Sequence, residues 1–239
     1  MNEKELAKAN TIYTCYAGSR MYGTNLVDSD YDIRSISILP MPFYIGLRSF
    51  EQLEEKNVGP NEDLVIHDIK KYIKLAMMCN PNIIEYLYCA EPQIKSMNEF
   101  GSRLRSFRSN FLSKEVYHRF GGYAYSQMRK LLYKEPEGNR KEIIDKYGFD
   151  VKHASHCLRL MYEGVEMLND QHLTLPCPQR KELLDVRMGR ITYEGVIARY
   201  GELRTQLDMA YINTKLPKHP DFNLIDEFLQ ELLMDYWNR

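Results

Sequence analysis

The fold is decided by two neighbouring stretches, Gly18-Ser19-Arg20-Met21-Tyr22-Gly23 and Ser29-Asp30-Tyr31-Asp32. Before them, residues 10–17 are rich in β-branched and aromatic side chains, which predicts a buried strand that ends at the first glycine. After them, residues 33–39 alternate apolar and polar side chains, a pattern typical of a half-buried strand. The two stretches therefore lie between two predicted strands.

These stretches combine residue types that suit a metal ion and a phosphate. Asp30 and Asp32 are spaced i and i+2, so on a strand they would project to the same side. Carboxylates held close together repel each other, and Mg²⁺ relieves this by binding one or two of them together with substrate phosphates. Gly18 and Ser19 follow a strand and precede a predicted helix, where backbone N–H groups and the helix dipole favour an anion. A phosphate-binding turn beside a two-carboxylate metal site is the least that phosphoryl or nucleotidyl transfer requires.

The remaining chain predicts an α+β fold. Residues 63–67 form a further short strand, and the turn residues 57–61 could link it to a strand near 50–55 as a hairpin. After about residue 68 the apolar residues recur at helical spacing. We therefore expect a small mixed β-sheet core with helices at 1–92, followed by an all-helical bundle at 93–239 that completes the active-site cleft.

Composition and charge favour a cytoplasmic protein with an anionic ligand. No apolar run is long enough to cross a membrane, and the five cysteines form no CxxC pair, which favours reduced thiols over a disulfide framework. Residues 101–160 hold 13 Lys/Arg against 6 Asp/Glu, although the whole chain has a net charge of −1. This basic middle suits a triphosphate or a nucleic acid, and a solvated helical face would explain it equally well.

The order Gly-Ser, short helix and Asp-x-Asp resembles the signature of the DNA polymerase β-like nucleotidyltransferase superfamily. The longer form here resembles one subgroup, the RNA-ligase-associated polymerase-β-like nucleotidyltransferases, over roughly residues 10–235. Four further motifs support the resemblance: Lys71-Tyr72, Asn80-Pro81-Asn82-Ile83-Ile84-Glu85, Gly122-Tyr123-Ala124 and Asp150-Val151-Lys152-His153-Ala154-Ser155-His156-Cys157-Leu158-Arg159-Leu160.

The resemblance implies a site that uses Mg²⁺ or Mn²⁺ and an NTP. Asp30 and Asp32 would hold the metal, and a third carboxylate is expected on a later strand. Asp63 opens such a strand and is the preferred candidate. Asp68 follows the same strand as the alternative, although it also stands where a helix N-cap belongs.

Phosphate contacts are expected from two parts of the chain. Gly18 and Ser19 would cradle the nucleotide, with Arg20 nearby unless it makes a surface salt bridge. In the helical half, Lys152, His156 and Arg159 share one face of a predicted helix. They could bind phosphate, or they could be structural polar residues.

The leading hypothesis is an enzyme that transfers a nucleoside monophosphate from an NTP to an RNA end, in repair or processing. The RNA acceptor follows from the family association alone. Nucleotidylation of a protein or small molecule is a second possibility, and non-catalytic nucleotide binding is a third. A membrane partner is not expected.

Overall fold

A computed structural model describes residues 2–133 and 139–239. In this part of the chain, five strands form one sheet: β1 (Thr11–Ala17), β2 (Tyr31–Ser37), β3 (Gln52–Gly59), β4 (Glu62–Asp68) and β5 (Ile94–Met97). Their order across the sheet is β3-β4-β2-β1-β5. β2 and β4 run parallel, whereas the other neighbouring pairs are antiparallel, so the sheet is mixed.

In the first half of the chain the helices lie before, between and after the strands, and the second half is mainly helical. The first half contains α1 (Glu3–Ala9), α2 (Gly18–Tyr22), α3 (Pro42–Ile45), α4 (Ile69–Met77), α5 (Pro81–Ile84) and α6 (Glu99–Ser106). The second half contains α7 (Gly122–Tyr133), α8 (Asn139–Tyr147), α9 (Val151–Asp170), α10 (Arg180–Arg187), α11 (Tyr193–Asn213) and α12 (Phe222–Trp237). The mixed sheet and the helical C-terminal region confirm the predicted α+β fold class.

The chain divides into two compact units. The first consists of Met1–Phe111 together with Pro220–Arg239, and the second of Leu112–His219. The first unit contains the whole sheet and the last helix, α12; the second is helical. The division of function between residues 1–92 and 93–239 stays a prediction.

Both faces of the sheet in the first unit are buried. On one face Ala7 of α1 packs with Leu39, Leu53 and Ile66 in an apolar cluster. On the other face the buried Tyr13 of β1 donates a hydrogen bond to the carbonyl of Tyr86. Burial on both sides explains why β1 is rich in β-branched and aromatic residues rather than strictly alternating.

The last helix belongs to the first unit and covers the apolar cluster at its margin. Trp237, the single tryptophan of the chain, packs its ring 5.0 Å from that of Tyr44 and donates a hydrogen bond of 3.0 Å to the carbonyl of Leu39. Tyr236 donates to the side chain of Asn10. Fluorescence of Trp237 therefore reports on the folding of this unit.

Two details of the strands differ from the sequence prediction. Residues 94–97 lie in the part of the chain predicted to be all-helical, but they form β5, and α6 starts only at Glu99. The reason is tertiary, because β5 pairs with the edge of β1, with Tyr13 opposite Met97. The second difference is that β2 begins at Tyr31, so Asp30 precedes the strand.

Two further observations bear on the class of protein. In the described part of the chain, no helix is both long and apolar enough to cross a membrane. The cysteines at positions 15, 79, 89, 157 and 177 are all buried thiols outside any disulfide.

A buried histidine on β4 links the first unit's stability to pH. His67 is 6% exposed and stacks on Tyr86. Burial, reinforced by the charges of Arg34 and Lys71, lowers the pKa of His67 to about 4 from its ordinary value of 6.5. Between these values the unfolded chain binds a proton that the folded chain does not. The stabilising contribution is therefore complete above pH 6.5 and is lost as the pH falls towards 4.

We expect the free energy of unfolding of the first unit to fall between pH 7 and pH 5, and His67→Gln to flatten this slope. One histidine contributes at most about 1.4 kcal/mol per pH unit. Urea titrations followed by Trp237 fluorescence at several pH values measure the slope. An unchanged slope in the variant would show that another group causes the pH dependence.

Candidate active site

The centre of the site is the close approach of Gly18 to Asp32. Gly18 has a φ of +61° and opens α2 directly after β1. A Cβ atom built on it would lie 2.3 Å from Oδ2 of Asp32, so any other residue would force this carboxylate to move in addition to the strain of the positive φ. Ala17, the last residue of β1, pairs with Asp32 across the sheet. The predicted phosphate turn and the predicted metal ligand are thus adjacent.

A second carboxylate lies beside the first on the neighbouring strand. Asp32 and Asp63 are directly opposite each other in the parallel pair formed by β2 and β4. Neighbouring strands are about 4.8 Å apart, and residues in register share a face of the sheet. Oδ1 of Asp63 accepts a hydrogen bond of 3.1 Å from the backbone N–H of Asn57. The register of the sheet therefore brings together two of the three predicted carboxylates.

Arg34 holds the Asp32 carboxylate in place. Its Nη2 donates to Oδ1 of Asp32 over 2.9 Å. Because the two residues are spaced i and i+2 on β2, they lie on the same face. Sequence reasoning missed Arg34, although its spacing from Asp32 was a usable signal. The other oxygen of Asp32 is the one that faces Gly18.

Arg20 contacts the loop before β2. Its Nη2 donates to the carbonyl of Ser29 over 2.7 Å, and its Nε donates to the carbonyl of Asp30 over 3.3 Å. Its guanidinium also lies 3.5 Å from the ring centre of Tyr31. These contacts bind α2 to the loop that carries Asp30. Neither of the predicted roles, phosphate contact or surface salt bridge, describes them, and the phosphate role stays a prediction.

Asp68, the alternative third carboxylate, has a complete set of structural contacts. Its Oδ1 accepts from the backbone N–H of Lys70 over 2.8 Å, which caps α4, and its Oδ2 accepts from the hydroxyl of Tyr44. It lies five positions after Asp63, which corresponds to about 16 Å along a strand and to the opposite face of the sheet. Burial raises the pKa of Asp68. This geometry favours Asp63 over Asp68 as a partner of Asp32.

The predicted phosphate-binding face of α9 lies in the second unit. Arg159 makes a salt bridge of 2.5 Å with Glu163 on the same helix, and their side chains are 4% and 1% exposed. His156 is within 3.2 Å of Arg159, and burial together with that charge lowers its pKa to about 3. His156 is therefore neutral at physiological pH, whereas Lys152 is exposed. Nucleotide binding by these residues stays a prediction, and the contacts of Arg159 suit the structural alternative.

The metal ligands are not assembled as a complete cluster. Among the residues that the structure describes, no three Asp, Glu, His or Cys side chains form a group that could hold a metal ion. Asp30 is exposed in the loop before β2, beside the facing pair of Asp32 and Asp63.

A mixed sheet that places a glycine-led helix against two facing aspartates is the arrangement expected of a polymerase-β-like nucleotidyltransferase. The model of one such family, described as the RNA repair pathway DNA polymerase beta family, matches residues 2–231. The chain therefore belongs to this family, which confirms the resemblance inferred from the motifs. Membership indicates a nucleotidyltransferase.

Two individual proteins are also similar to this chain. The uncharacterized protein YcgL of Bacillus subtilis (strain 168) is 26% identical over 109 residues, which cover 45% of this chain and 42% of YcgL. The match thus spans about two fifths of that relative. The crystal structure of a nucleotidyltransferase-like protein from Exiguobacterium sibiricum 255-15 is 12% identical, with a TM-score of 0.33. That match covers 97% of this chain and 77% of the other, but its TM-score is too low to support a conclusion.

We expect Gly18→Ala to destabilise the protein more than Gly148→Ala does. Both glycines have positive φ, but a Cβ at Gly148 would meet nothing within 4 Å, whereas at Gly18 it would strike Asp32. The control therefore isolates the cost of the backbone conformation. The additional loss from the clash should be about 1 kcal/mol or more, measured by urea unfolding with circular dichroism. Equal losses would contradict the close contact.

Proposed function

We propose that the protein is a Mg²⁺- or Mn²⁺-dependent nucleotidyltransferase that transfers a nucleoside monophosphate from an NTP to a hydroxyl at an RNA end. The observation that carries this proposal is the contact between the Gly18 turn and Asp32, with Asp63 facing Asp32 on the next strand. An anion-binding turn beside paired carboxylates suits a nucleotide triphosphate with its cation. The family supplies the RNA acceptor.

The donor atoms fit a hard cation. Oδ2 of Asp32 is not used by Arg34, and Oδ2 of Asp63 is not used by Asn57. Magnesium commonly takes one or two carboxylates and completes its shell with phosphate oxygens and water, so two facing aspartates are sufficient. When bound, the cation would neutralise charge on the phosphates and lower the pKa of an oxygen ligand. Asp30 is the further ligand that a loop movement could add.

The chemistry assigned to the chain's own residues is binding, orientation and proton acceptance. The backbone N–H groups at Gly18 and Ser19 would bind the triphosphate. The acceptor oxygen attacks the α-phosphorus, and the bond from this phosphorus to the bridging oxygen of the β-phosphate breaks, which releases pyrophosphate. In this proposal the Asp63 carboxylate binds the acceptor or takes up its hydroxyl proton. Arg34 keeps Asp32 in the orientation that this reaction needs.

The test is transfer of label from each α-labelled NTP, with Mg²⁺ or Mn²⁺, to RNA, DNA and protein acceptors. We expect label on RNA, release of pyrophosphate, and loss of both on addition of EDTA.

Replacement of Asp30 and Asp32 by Ala should abolish transfer while the fold is retained. Asp63→Asn should slow transfer at least about a hundredfold, because a carboxylate at the reacting centre contributes several kcal/mol.

Asp68→Asn discriminates between the two candidates for the third carboxylate. The asparagine keeps an oxygen that can cap α4, but it replaces the oxygen that accepts from Tyr44 with a donor. We therefore expect lower thermal stability but transfer close to the wild-type rate in the folded protein. The reverse pattern, with Asp63→Asn active and Asp68→Asn inactive, would assign the role to Asp68. Label on protein alone would favour nucleotidylation of a protein. Binding of NTP without transfer to any acceptor would favour a non-catalytic role.

A further inference from the structure

The helix that presents the proposed phosphate turn is too short to be stable alone. α2 has five residues, and an isolated helix of this length does not form in water. It is closed by Gly23, which has a φ of +71° and donates its N–H to the carbonyl of Arg20. Met21 is buried beneath it. The orientation of the Gly18 and Ser19 amides therefore depends on side-chain contacts from outside the helix.

One of these contacts involves a buried carboxylate from a motif to which the proposed chemistry assigns no role. The hydroxyl of Tyr22, the last residue of α2, donates a hydrogen bond to Oε2 of Glu85. Glu85 is fully buried, within the run of buried residues 83–89. Burying a carboxylate is costly even when it is hydrogen-bonded, and an apolar side chain of similar size often gives equal or greater stability. Packing alone therefore does not account for this residue.

Glu85 is carried by a rigid part of the first unit. It follows α5, which begins with Pro81 after the Asn80 cap. The neighbouring carbonyls are fixed by two buried tyrosines: Tyr72 of α4 donates to Ile83 over 3.0 Å, and Tyr13 of β1 donates to Tyr86 over 2.7 Å. A hydrogen bond to Glu85 thus ties α2 to the core of the sheet.

We propose that Tyr22 and Glu85 are a positioning pair. Their hydrogen bond holds α2, and with it the Gly18 and Ser19 amides, at a fixed position relative to Asp32. The inference rests on the proposed function, because the position of these amides relative to Asp32 affects activity only if a bound phosphate and the carboxylates act together. It also gives Asn80–Glu85 a purpose: the motif supplies a fixed acceptor for Tyr22. Neither residue needs to touch the nucleotide.

The first unit provides a matched control for loss of a buried tyrosine–carboxylate bond. Tyr44 donates to Asp68, which is also buried, but at the far end of β4 from Asp63. Tyr22→Phe and Tyr44→Phe each remove one hydroxyl and leave a buried carboxylate with one hydrogen bond fewer. The Tyr44 hydroxyl also accepts a hydrogen bond of 3.2 Å from the backbone N–H of Leu39. A purely structural role therefore predicts a loss of stability in both variants and no selective effect of Tyr22→Phe on kcat.

The experiment combines hydrogen–deuterium exchange with transfer kinetics for wild type, Tyr22→Phe and Tyr44→Phe. In Tyr22→Phe we expect faster exchange in α2, with β1 and β2 unchanged, and a fall in kcat of about tenfold or more. Tyr44→Phe should lower thermal stability and leave both α2 exchange and kcat near wild type. Glu85→Gln retains a carbonyl acceptor for Tyr22 and should keep most of the protection, whereas Glu85→Leu should lose it.

Two results would overturn the pair. Unchanged α2 exchange in Tyr22→Phe would show that the hydrogen bond to Glu85 does not hold α2. Faster exchange with a wild-type kcat would show that the position of α2 does not affect transfer. If the wild type transfers no label to any acceptor, the proposed function fails separately. In that case α2 exchange, together with the affinity for ATP in the presence of Mn²⁺, still decides the question: unchanged values in Tyr22→Phe would overturn the pair.

Discussion

The site depends on one steric constraint, the absence of a side chain where β1 turns into α2. At Gly18 the backbone comes so near to Asp32 that a methyl group would overlap the carboxylate oxygen. A side chain at this position would therefore displace the carboxylate from its place beside the turn. The antiparallel pairing of Ala17 with Asp32 fixes this junction from one side, and the parallel pairing of Asp32 with Asp63 fixes it from the other.

The same junction concentrates negative charge, and the structure shows how that charge is balanced. Two unit charges about 5 Å apart repel by roughly 3 kcal/mol at an effective dielectric constant of about 20. The side chain of Asp32 is 37% exposed, so solvent screening reduces this cost. Arg34 offsets more of it through its salt bridge to Asp32. Arg34 occupies one oxygen of Asp32, and the other oxygen faces Gly18, where the proposed function would place the cation and the phosphates.

Local patterns were enough to predict the strands that form this junction, and the contacts missed were tertiary. The composition of residues 10–17 and the Gly-Ser turn located β1 and α2, whereas the strand predicted at 33–39 begins two residues earlier, at Tyr31. The strand β5 could not be predicted, because four residues of this composition become a strand only when the edge of β1 is available. The contact between Tyr22 and Glu85 joins residues 63 positions apart, and no periodicity reports such a separation. The choice between Asp63 and Asp68 also depends on the pairing of β2 with β4, because this pairing sets Asp63 opposite Asp32 and Asp68 at the other end of β4.

The net charge of a sequence segment overestimates its attraction for an anionic ligand when some of its cations are paired within the fold. The basic middle of the chain includes Arg103 and Arg105, which form salt bridges with Asp235 and Glu91 within the first unit. It also includes Arg159, which is buried with Glu163, and a nearby histidine that stays neutral because it is buried. Each ion pair forms a dipole, whose field decreases faster with distance than that of an isolated charge and is screened further by salt. An RNA acceptor would therefore be attracted by the exposed cations that remain, such as Lys152 and Arg119, rather than by the basic segment as a whole.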